Sequence, residues 1–143
     1  MTTTSVCGAG MQPPAKRTDD VDCSHSQSTP RVFRVGAVSP THYDRDASLL
    51  VQIAGRKRML LFPPDQLECL LCYPEQHLLR RRARVNLAAV EEDGGLRSRL
   101  CAIEVMLEPG DAVFFPPEWA HYTESLSPSM SVTTRFALRR GSE

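Results

Sequence analysis

The chain has no net charge, no long apolar run and no regular spacing among its five cysteines. Lys and Arg together number 17 and Asp and Glu number 17, so no overall field steers the protein toward nucleic acid or an anionic membrane. The apolar runs are short, and the amino terminus lacks the apolar core of a signal peptide. An odd, irregular cysteine set does not form a disulfide framework. We therefore expect a cytoplasmic or nuclear protein with reduced thiols.

A length of 143 residues leaves room for one domain with a modest core. Residues 1–29 are rich in Thr, Ser, Gly, Pro and Asp and carry few bulky apolar side chains, so their burial cannot offset the entropy cost of ordering. Cys23 and His25 lie in this segment without a second pair that would complete a zinc site. The sequence predicts a disordered tail over residues 1–29 and one domain over residues 30–143.

From Arg31 onward the sequence changes to short strand-like runs separated by turn residues, a pattern typical of an all-β sandwich or barrel. Eight strands are predicted: Arg31–Val38, Thr41–Asp46, Ser48–Ala54, Lys57–Phe62, Ile103–Leu107, Ala112–Phe115, Trp119–Leu126 and Ser129–Leu138. Gly55 and Arg56 predict a tight hairpin, and Pro109-Gly110 predicts a turn.

A long insertion separates Pro63 from Cys101. Asp65–Leu71 is predicted to form a helical turn, and the basic run Arg80-Arg81-Arg82 follows it. This run would either contact an acidic partner or form a solvated edge, and the sequence favours the solvated edge. Cys69 and Cys72 have the spacing of a metal or redox pair, but without a second pair a structural role is favoured.

Three residues with metal-ligating side chains are the most informative feature of the chain: His42, Asp44 and His121. Two imidazoles and one carboxylate form the ligand set of non-heme iron(II) oxygenases, which leaves one face of the metal open. Strand alternation would place His42 and Asp44 on the same side, with His121 supplied by another strand. A structural zinc site is an alternative, although such a site normally has a fourth ligand.

A cation on the next predicted strand, Lys57, could reach the interior of the barrel. A buried ammonium group is costly unless it meets an anion, so its presence there would indicate an anionic ligand. The alternative is that the Lys57 side chain extends to solvent, as we expect for Arg56 and Arg58.

These segments together resemble the JmjC, or cupin-like, 2-oxoglutarate oxygenases. The resemblance covers residues 36–137 almost continuously and is closest to the asparaginyl hydroxylase that inhibits hypoxia-inducible factor. It rests on four segments of this sequence: residues 41–44 (THYD), 50–58 (LVQIAGRKR), 61–69 (LFPPDQLEC) and 107–121 (LEPGDAVFFPPEWAH).

The resemblance implies a double-stranded β-helix of the jelly-roll type, with Fe(II) bound by His42, Asp44 and His121. It implies 2-oxoglutarate as cosubstrate, with its distal carboxylate bound by Lys57 and by the hydroxyl of Ser39. Arg135 falls near the cosubstrate and would either point inward as a second cation or face solvent. The implied reaction hydroxylates a side chain of a protein or peptide, with release of succinate and CO2.

The chain also departs from the family pattern. It is shorter at both ends and lacks the helices through which relatives pair, so it leaves the oligomeric state open. Ser48 replaces an Asn near the iron, and Ala120 and Ala137 replace aromatic residues. Two alternative functions therefore stay open: a catalytically weak or inactive cupin-like binding module, and a histone-lysine demethylase. Neither nucleic acid nor a membrane is indicated as a partner.

Overall fold

The computed structural model describes residues 2–5, 21–87 and 99–138. These contain nine strands and one short 3-10 helix, Pro64–Gln66. The strands are β1 (Thr2–Ser5), β2 (Val21–Phe33), β3 (Val38–Tyr43), β4 (Ala47–Ala54), β5 (Lys57–Phe62), β6 (Ile103–Leu107), β7 (Ala112–Phe115), β8 (Ala120–Ser125) and β9 (Ser129–Leu138).

The strands form two antiparallel sheets, one with the order β1-β6-β5-β8-β3 and the other with the order β2-β9-β4-β7. Strand β8 shows why they pack face to face, because His121, Thr123 and Ser125 are buried whereas the residues between them are partly exposed. This alternation is the period of a strand with one face toward a core. The predicted all-β jelly-roll class is confirmed.

The core lies between the two sheets. Its main cluster takes residues from both sheets: Leu50, Met59, Leu61, Val105, Leu107, Val113 and Phe115. A second cluster lies beneath the insertion and contains Phe62, Leu70, Leu100 and Ala120. Full burial of each large apolar side chain contributes roughly 1.5–3 kcal/mol. The main cluster therefore holds the two sheets together, and the second cluster packs the insertion against the larger sheet.

The turn at Gly55 differs from the prediction. Strands β4 and β5 belong to different sheets, so Gly55 and Arg56 form a corner between sheets, and the predicted hairpin is wrong. Gly55 has φ +71°, and a Cβ built on it would lie 2.1 Å from the carbonyl oxygen of Pro128. Side-chain alternation predicts strands but does not show which strands pair, and this is why the sequence pointed to a hairpin.

The amino-terminal prediction is also wrong for part of its range. Strand β1 (Thr2–Ser5) lies within the segment that was expected to be disordered, and strand β2 (Val21–Phe33) begins in it. Strand β2 pairs with β9, and backbone hydrogen bonds of this kind do not require apolar side chains. Amino-acid composition alone therefore did not predict these strands. Residues 6–20 lie outside the described residues.

Two smaller predictions need correction. The predicted strand Arg31–Val38 contains the end of β2, a turn at Gly36 and the start of β3. Strand β3 ends at Tyr43, so Asp44 lies just beyond the strand on which it was predicted. Cys101 is disulfide-bonded, contrary to the expectation of reduced thiols, whereas Cys69 and Cys72 are free.

The insertion returns along the edge of the larger sheet. After the 3-10 helix and a hydrogen bond from Leu70 N to Gln66 O, the chain turns and comes back beside β3. There Tyr43 N donates to Arg81 O and Ala83 N donates to Thr41 O. The insertion is thereby attached to the strand that carries His42. In the described part of the chain, no helix has the length and apolar character needed to span a bilayer.

Candidate metal centre

The three predicted ligands come together at one end of the space between the sheets. His42 on β3 and His121 on β8 are direct cross-strand partners, and their ring centroids are 4.3 Å apart. Asp44 follows β3, where its backbone oxygen accepts a hydrogen bond of 2.9 Å from Glu118 N. One potential ligand atom from each of the three residues lies within 4.8 Å of the others. The sequence predicted that another strand would supply His121, and in the structure this strand, β8, is adjacent to β3.

Both imidazoles are oriented by backbone carbonyls two residues earlier. His42 Nδ1 lies 2.8 Å from Pro40 O, and His121 Nδ1 lies 3.1 Å from Trp119 O. Since a carbonyl can only accept, Nδ1 carries the proton in each ring and the lone pair is on Nε2. A hydrogen bond of this kind fixes the tautomer and ring orientation of histidines that bind metals.

The charge state of His121 suits a metal ligand. The residue is buried, and burial followed by the proximity of His42 lowers its pKa to about 4. His121 is therefore neutral near pH 7, and the neutral ring is the form that coordinates a metal.

Arg135 lies next to the third ligand. Its Nε donates a 2.9 Å hydrogen bond to Asp44 Oδ2, which joins β9 of the smaller sheet to the end of β3 in the larger one. The guanidinium thus occupies one carboxylate oxygen, and the other oxygen is left for a metal. The sequence had predicted Arg135 near a cosubstrate or facing solvent. In the structure its side chain turns inward and contacts the carboxylate of Asp44.

Lys57 is buried, with a relative exposure of 2%, so the alternative of a solvent-facing side chain is wrong. Its Nζ donates a 2.8 Å hydrogen bond to Ser131 Oγ and lies 3.9 Å from the centroid of the Phe33 ring. No carboxylate pairs with this ammonium group among the residues that the structure describes. Burial, and then the nearby Arg31, lowers the Lys57 pKa to about 8.

A single cleft connects Lys57 with the three metal-ligating residues. All six residues proposed for the site from the sequence line it: Ser39, His42, Asp44, Lys57, His121 and Arg135. The cleft also has walls that sequence reasoning missed, notably Arg31, Phe33 and Ser131. Ser131 could have been found, since it lies two and four residues before Thr133 and Arg135 and strand alternation puts all three on one face.

Ser48 borders this cleft without lining it. It lies on β4, where its register partners are Phe115 and Arg135, and it is fully buried. Its Oγ has no hydrogen-bond partner within the described residues. An unpaired buried hydroxyl is costly, so one polar group beside the site can still accept or donate a hydrogen bond.

The donor set fits a catalytic metal better than a structural one. Two imidazole nitrogens and a carboxylate oxygen suit Fe(II), and also zinc. A structural zinc site has four protein ligands, whereas the group found among the described residues has three. Three ligands on one side of an ion leave positions open for small molecules in the cleft.

Comparisons with known proteins show the family to which the chain belongs. Residues 14–137 match the family model described as a cupin-like domain. The chain is 38% identical over 100 residues to Jumonji C domain-containing protein 5 of Drosophila melanogaster, covering 68% of this chain and 24% of that protein. It is 32% identical over 99 residues to lysine-specific demethylase JMJ30 of Arabidopsis thaliana, covering 68% of this chain and 23% of that protein.

A solved structure shares the fold. The ribosomal oxygenase YcfD of Escherichia coli, in complex with cobalt and succinic acid, superposes with a TM-score of 0.50 at 18% identity, over 80% of this chain and 24% of that one. The match thus spans about a quarter of the length of each of these three proteins. Because the family model covers nearly all of the described residues, this chain belongs to the cupin-like domain family, in which its relatives include Jumonji C proteins.

Proposed function

We propose that the protein is an Fe(II)- and 2-oxoglutarate-dependent dioxygenase that hydroxylates a side chain of a protein, with release of succinate and CO2. One observation carries the proposal: a single cleft is lined by the three candidate metal ligands and by a buried ammonium group that has no carboxylate partner among the described residues. The strand register separates the two, because Lys57 lies four residues along β5 from Leu61, the partner of His121. A molecule that chelates a metal and ends in a carboxylate would satisfy both ends. The dianion 2-oxoglutarate has this form.

Each residue of the cleft has a defined part in the proposal. His42, Asp44 and His121 hold the metal, and Arg135 keeps one oxygen of Asp44 away from it. Lys57 meets the distal carboxylate, while the hydroxyls of Ser39 and Ser131 are placed to share it. When bound, Fe(II) supplies oxygen activation coupled to oxidative decarboxylation of the cosubstrate. The protein contributes binding, orientation and a cleft that shields the reacting groups.

The cost of burying Lys57 supports this assignment. Removal of an ammonium group from water costs several kcal/mol in practice, and a serine hydroxyl returns only part of it. A carboxylate entering the cleft would relieve this cost and would raise the Lys57 pKa from about 8 toward its ordinary value. A protein of the same fold, the oxygenase YcfD, was solved with cobalt and succinic acid.

A second function from the same chemistry is favoured by the names of two relatives. Lysine-specific demethylase JMJ30 and lysine-specific demethylase 8 of Xenopus tropicalis are 32% and 33% identical to this chain. Oxidation of a methyl-lysine carbon would use the same cleft, so consumption of methyl-lysine peptide instead of unmodified peptide would identify this activity. The likeness to the asparaginyl hydroxylase in particular stays a prediction.

The test begins with binding and proceeds to turnover. Anaerobic addition of Fe(II) and then 2-oxoglutarate to the purified protein should give a visible metal-to-ligand charge-transfer band. Admission of oxygen should then release succinate. Both signals should disappear in His121→Ala and persist in His77→Ala, a matched change at an exposed histidine outside the cleft.

Two outcomes would overturn the proposal. Folded protein that binds neither Fe(II) nor 2-oxoglutarate would leave only a cupin-like binding module. Binding of Zn(II) so tight that Fe(II) cannot replace it, with no succinate formed, would indicate a structural metal site.

A further inference from the structure

A basic strip lies beside the candidate metal centre, and the proposed function does not use it. We define the strip as residues 73–84, the part of the insertion that returns along the edge of β3. Arg82 forms an isolated antiparallel bridge with His42, so these two residues are direct neighbours across the sheet edge. Bridge partners have side chains on the same face of a sheet, and Arg82 is therefore on the same side as the metal-ligating ring.

The strip concentrates positive charge in a chain whose net charge is zero. Arg80, Arg82 and Arg84 are exposed, and none forms an ion pair among the described residues. The only carboxylate within the strip, Glu75, lies 3.3 Å from Arg45 Nε and is thereby occupied. These three arginines along one edge form a local positive surface with no carboxylate partner among the described residues.

Apolar side chains lie next to these charges. Leu78 is 99% exposed, and Leu79 is 43% exposed. The Leu78 side chain buries almost no surface among the described residues, and the exposed parts of both leucines could pack against a partner side chain. A surface that combines apolar contacts with cations suits a polypeptide that carries acidic and apolar residues.

We propose that this strip docks an acidic segment of the polypeptide substrate and thereby presents the neighbouring side chain to the cleft. The inference rests on the proposed function, because it names the class of substrate for the same site. Strand-bridge partners lie about 5 Å apart between Cα atoms, and an extended chain advances about 3.3 Å per residue. The acidic residue that contacts Arg82 should therefore fall within about two residues of the modified side chain.

Nucleic acid fits the strip less well. Binding of single-stranded nucleic acid normally uses aromatic rings on which bases stack. The one aromatic side chain of the strip, Tyr73, already stacks on His77 at a centroid distance of 4.2 Å, and the guanidinium of Arg84 lies 5.8 Å from the Tyr73 ring centroid. Exposed leucines would also gain nothing from a phosphate backbone. Charge and apolar surface together favour an acidic polypeptide.

The test compares labelled peptides of equal length that carry either Glu or Gln at the same positions, measured by fluorescence anisotropy at low salt. The Glu peptide should bind about tenfold tighter, and the difference should shrink as salt is added, since exposed charge pairs contribute modestly and are screened. Arg80→Gln with Arg82→Gln should remove most of the difference. Arg34→Gln with Arg56→Gln removes the same charge from exposed positions outside the strip and should leave it unchanged.

Arg80→Lys with Arg82→Lys keeps both positive charges and should therefore keep the preference for Glu. Thermal unfolding of each variant verifies that it is folded. Three results would overturn the inference: equal binding of both peptides, equal weakening by both pairs of substitutions, or tighter binding of a single-stranded oligonucleotide than of the Glu peptide. Anisotropy requires no turnover, so its result is separate from succinate release. Succinate release without a preference for Glu would leave the proposed function intact and remove only this inference.

Discussion

The two ends of the cleft are built in different ways. At the metal end, each histidine is oriented by a carbonyl two residues earlier in its own strand or turn. At the other end, Lys57 depends on Ser131, which lies 74 residues away in the opposite sheet. The two histidines of the metal end are thus oriented locally and Asp44 accepts a hydrogen bond from the opposite sheet, whereas the cation end exists only when the two sheets are packed together. Metal binding and cosubstrate binding should therefore respond differently to substitution.

The largest expected effect concerns the metal end. His42→Ala should weaken binding of Co(II), used in place of Fe(II), by more than about a hundredfold, because loss of a ligand exceeds the 10- to 100-fold cost of losing an outer hydrogen bond. Titration followed by the visible absorption of Co(II) measures it, with His77→Ala as control. Undiminished Co(II) affinity in His42→Ala would mean that the metal binds elsewhere.

The second effect separates function from stability at the cation end. Lys57→Met removes a buried charge and keeps the volume of the side chain, so the free energy of unfolding should rise by about 1–3 kcal/mol. The same change should weaken 2-oxoglutarate binding by about thirtyfold or more and leave Co(II) binding intact. Urea unfolding and calorimetric titration measure the two quantities.

The stability difference should itself depend on pH. The pKa of Lys57 is about 8 in the folded protein and 10.5 when unperturbed, so the unfolded chain binds more protons between these values. The wild-type protein should therefore gain stability relative to Lys57→Met as pH rises from 8 to 10.5, and the gap should close. A constant gap across this range would show that Lys57 is not buried as a cation.

Cosubstrate affinity should follow the same ionisation. Only the charged form of Lys57 attracts a carboxylate, so the Kd for 2-oxoglutarate should be flat below pH 8 and should rise toward tenfold per pH unit above it. Titrations across this range measure the effect, and Lys57→Met should show no such rise. A flat wild-type profile would assign the distal carboxylate to another group, such as Arg31 on the cleft wall.

The smallest effect concerns the link between the sheets. Ser131→Ala removes the hydroxyl that accepts from Lys57 and should lower the free energy of unfolding by about 1–2 kcal/mol. Ser28→Ala, which removes an exposed hydroxyl pair with Thr134, should cost less than about 0.5 kcal/mol. If both changes cost the same, the Lys57 contact contributes nothing beyond an ordinary surface hydrogen bond.

The same contrast explains what the sequence could predict. His42, Asp44 and His121 could be proposed because their residue types are rare in combination and because strand alternation fixes their faces. For Lys57, the sequence left two alternatives, a buried side chain or one that extends to solvent. The choice between them depends on which residues of the opposite sheet pack against it. Arg31 was missed for this reason, whereas strand alternation with Thr133 and Arg135 could have indicated Ser131.

Pairing between distant strands was the other limit. The sequence predicted the strands from β4 onward to within a residue or two, but it did not predict that β4 and β5 separate into different sheets. Most of strand β2 was not predicted because the strand forms through backbone pairing with β9, whereas amino-acid composition describes only the side chains. Arg135 was placed near the cleft correctly, yet its contact with Asp44 depends on how the end of β3 approaches β9.

The corner at Gly55 has a consequence for inherited variation. Every missense change at this codon adds a Cβ where only 2.1 Å separates it from the Pro128 carbonyl, in a backbone conformation with φ +71° that side chains disfavour. Since Lys57 follows two residues later, such variants should reach the cell as poorly folded protein with low abundance, not as well-folded protein with an altered function. Immunoblotting of a carrier's cells would then be more informative than an activity assay.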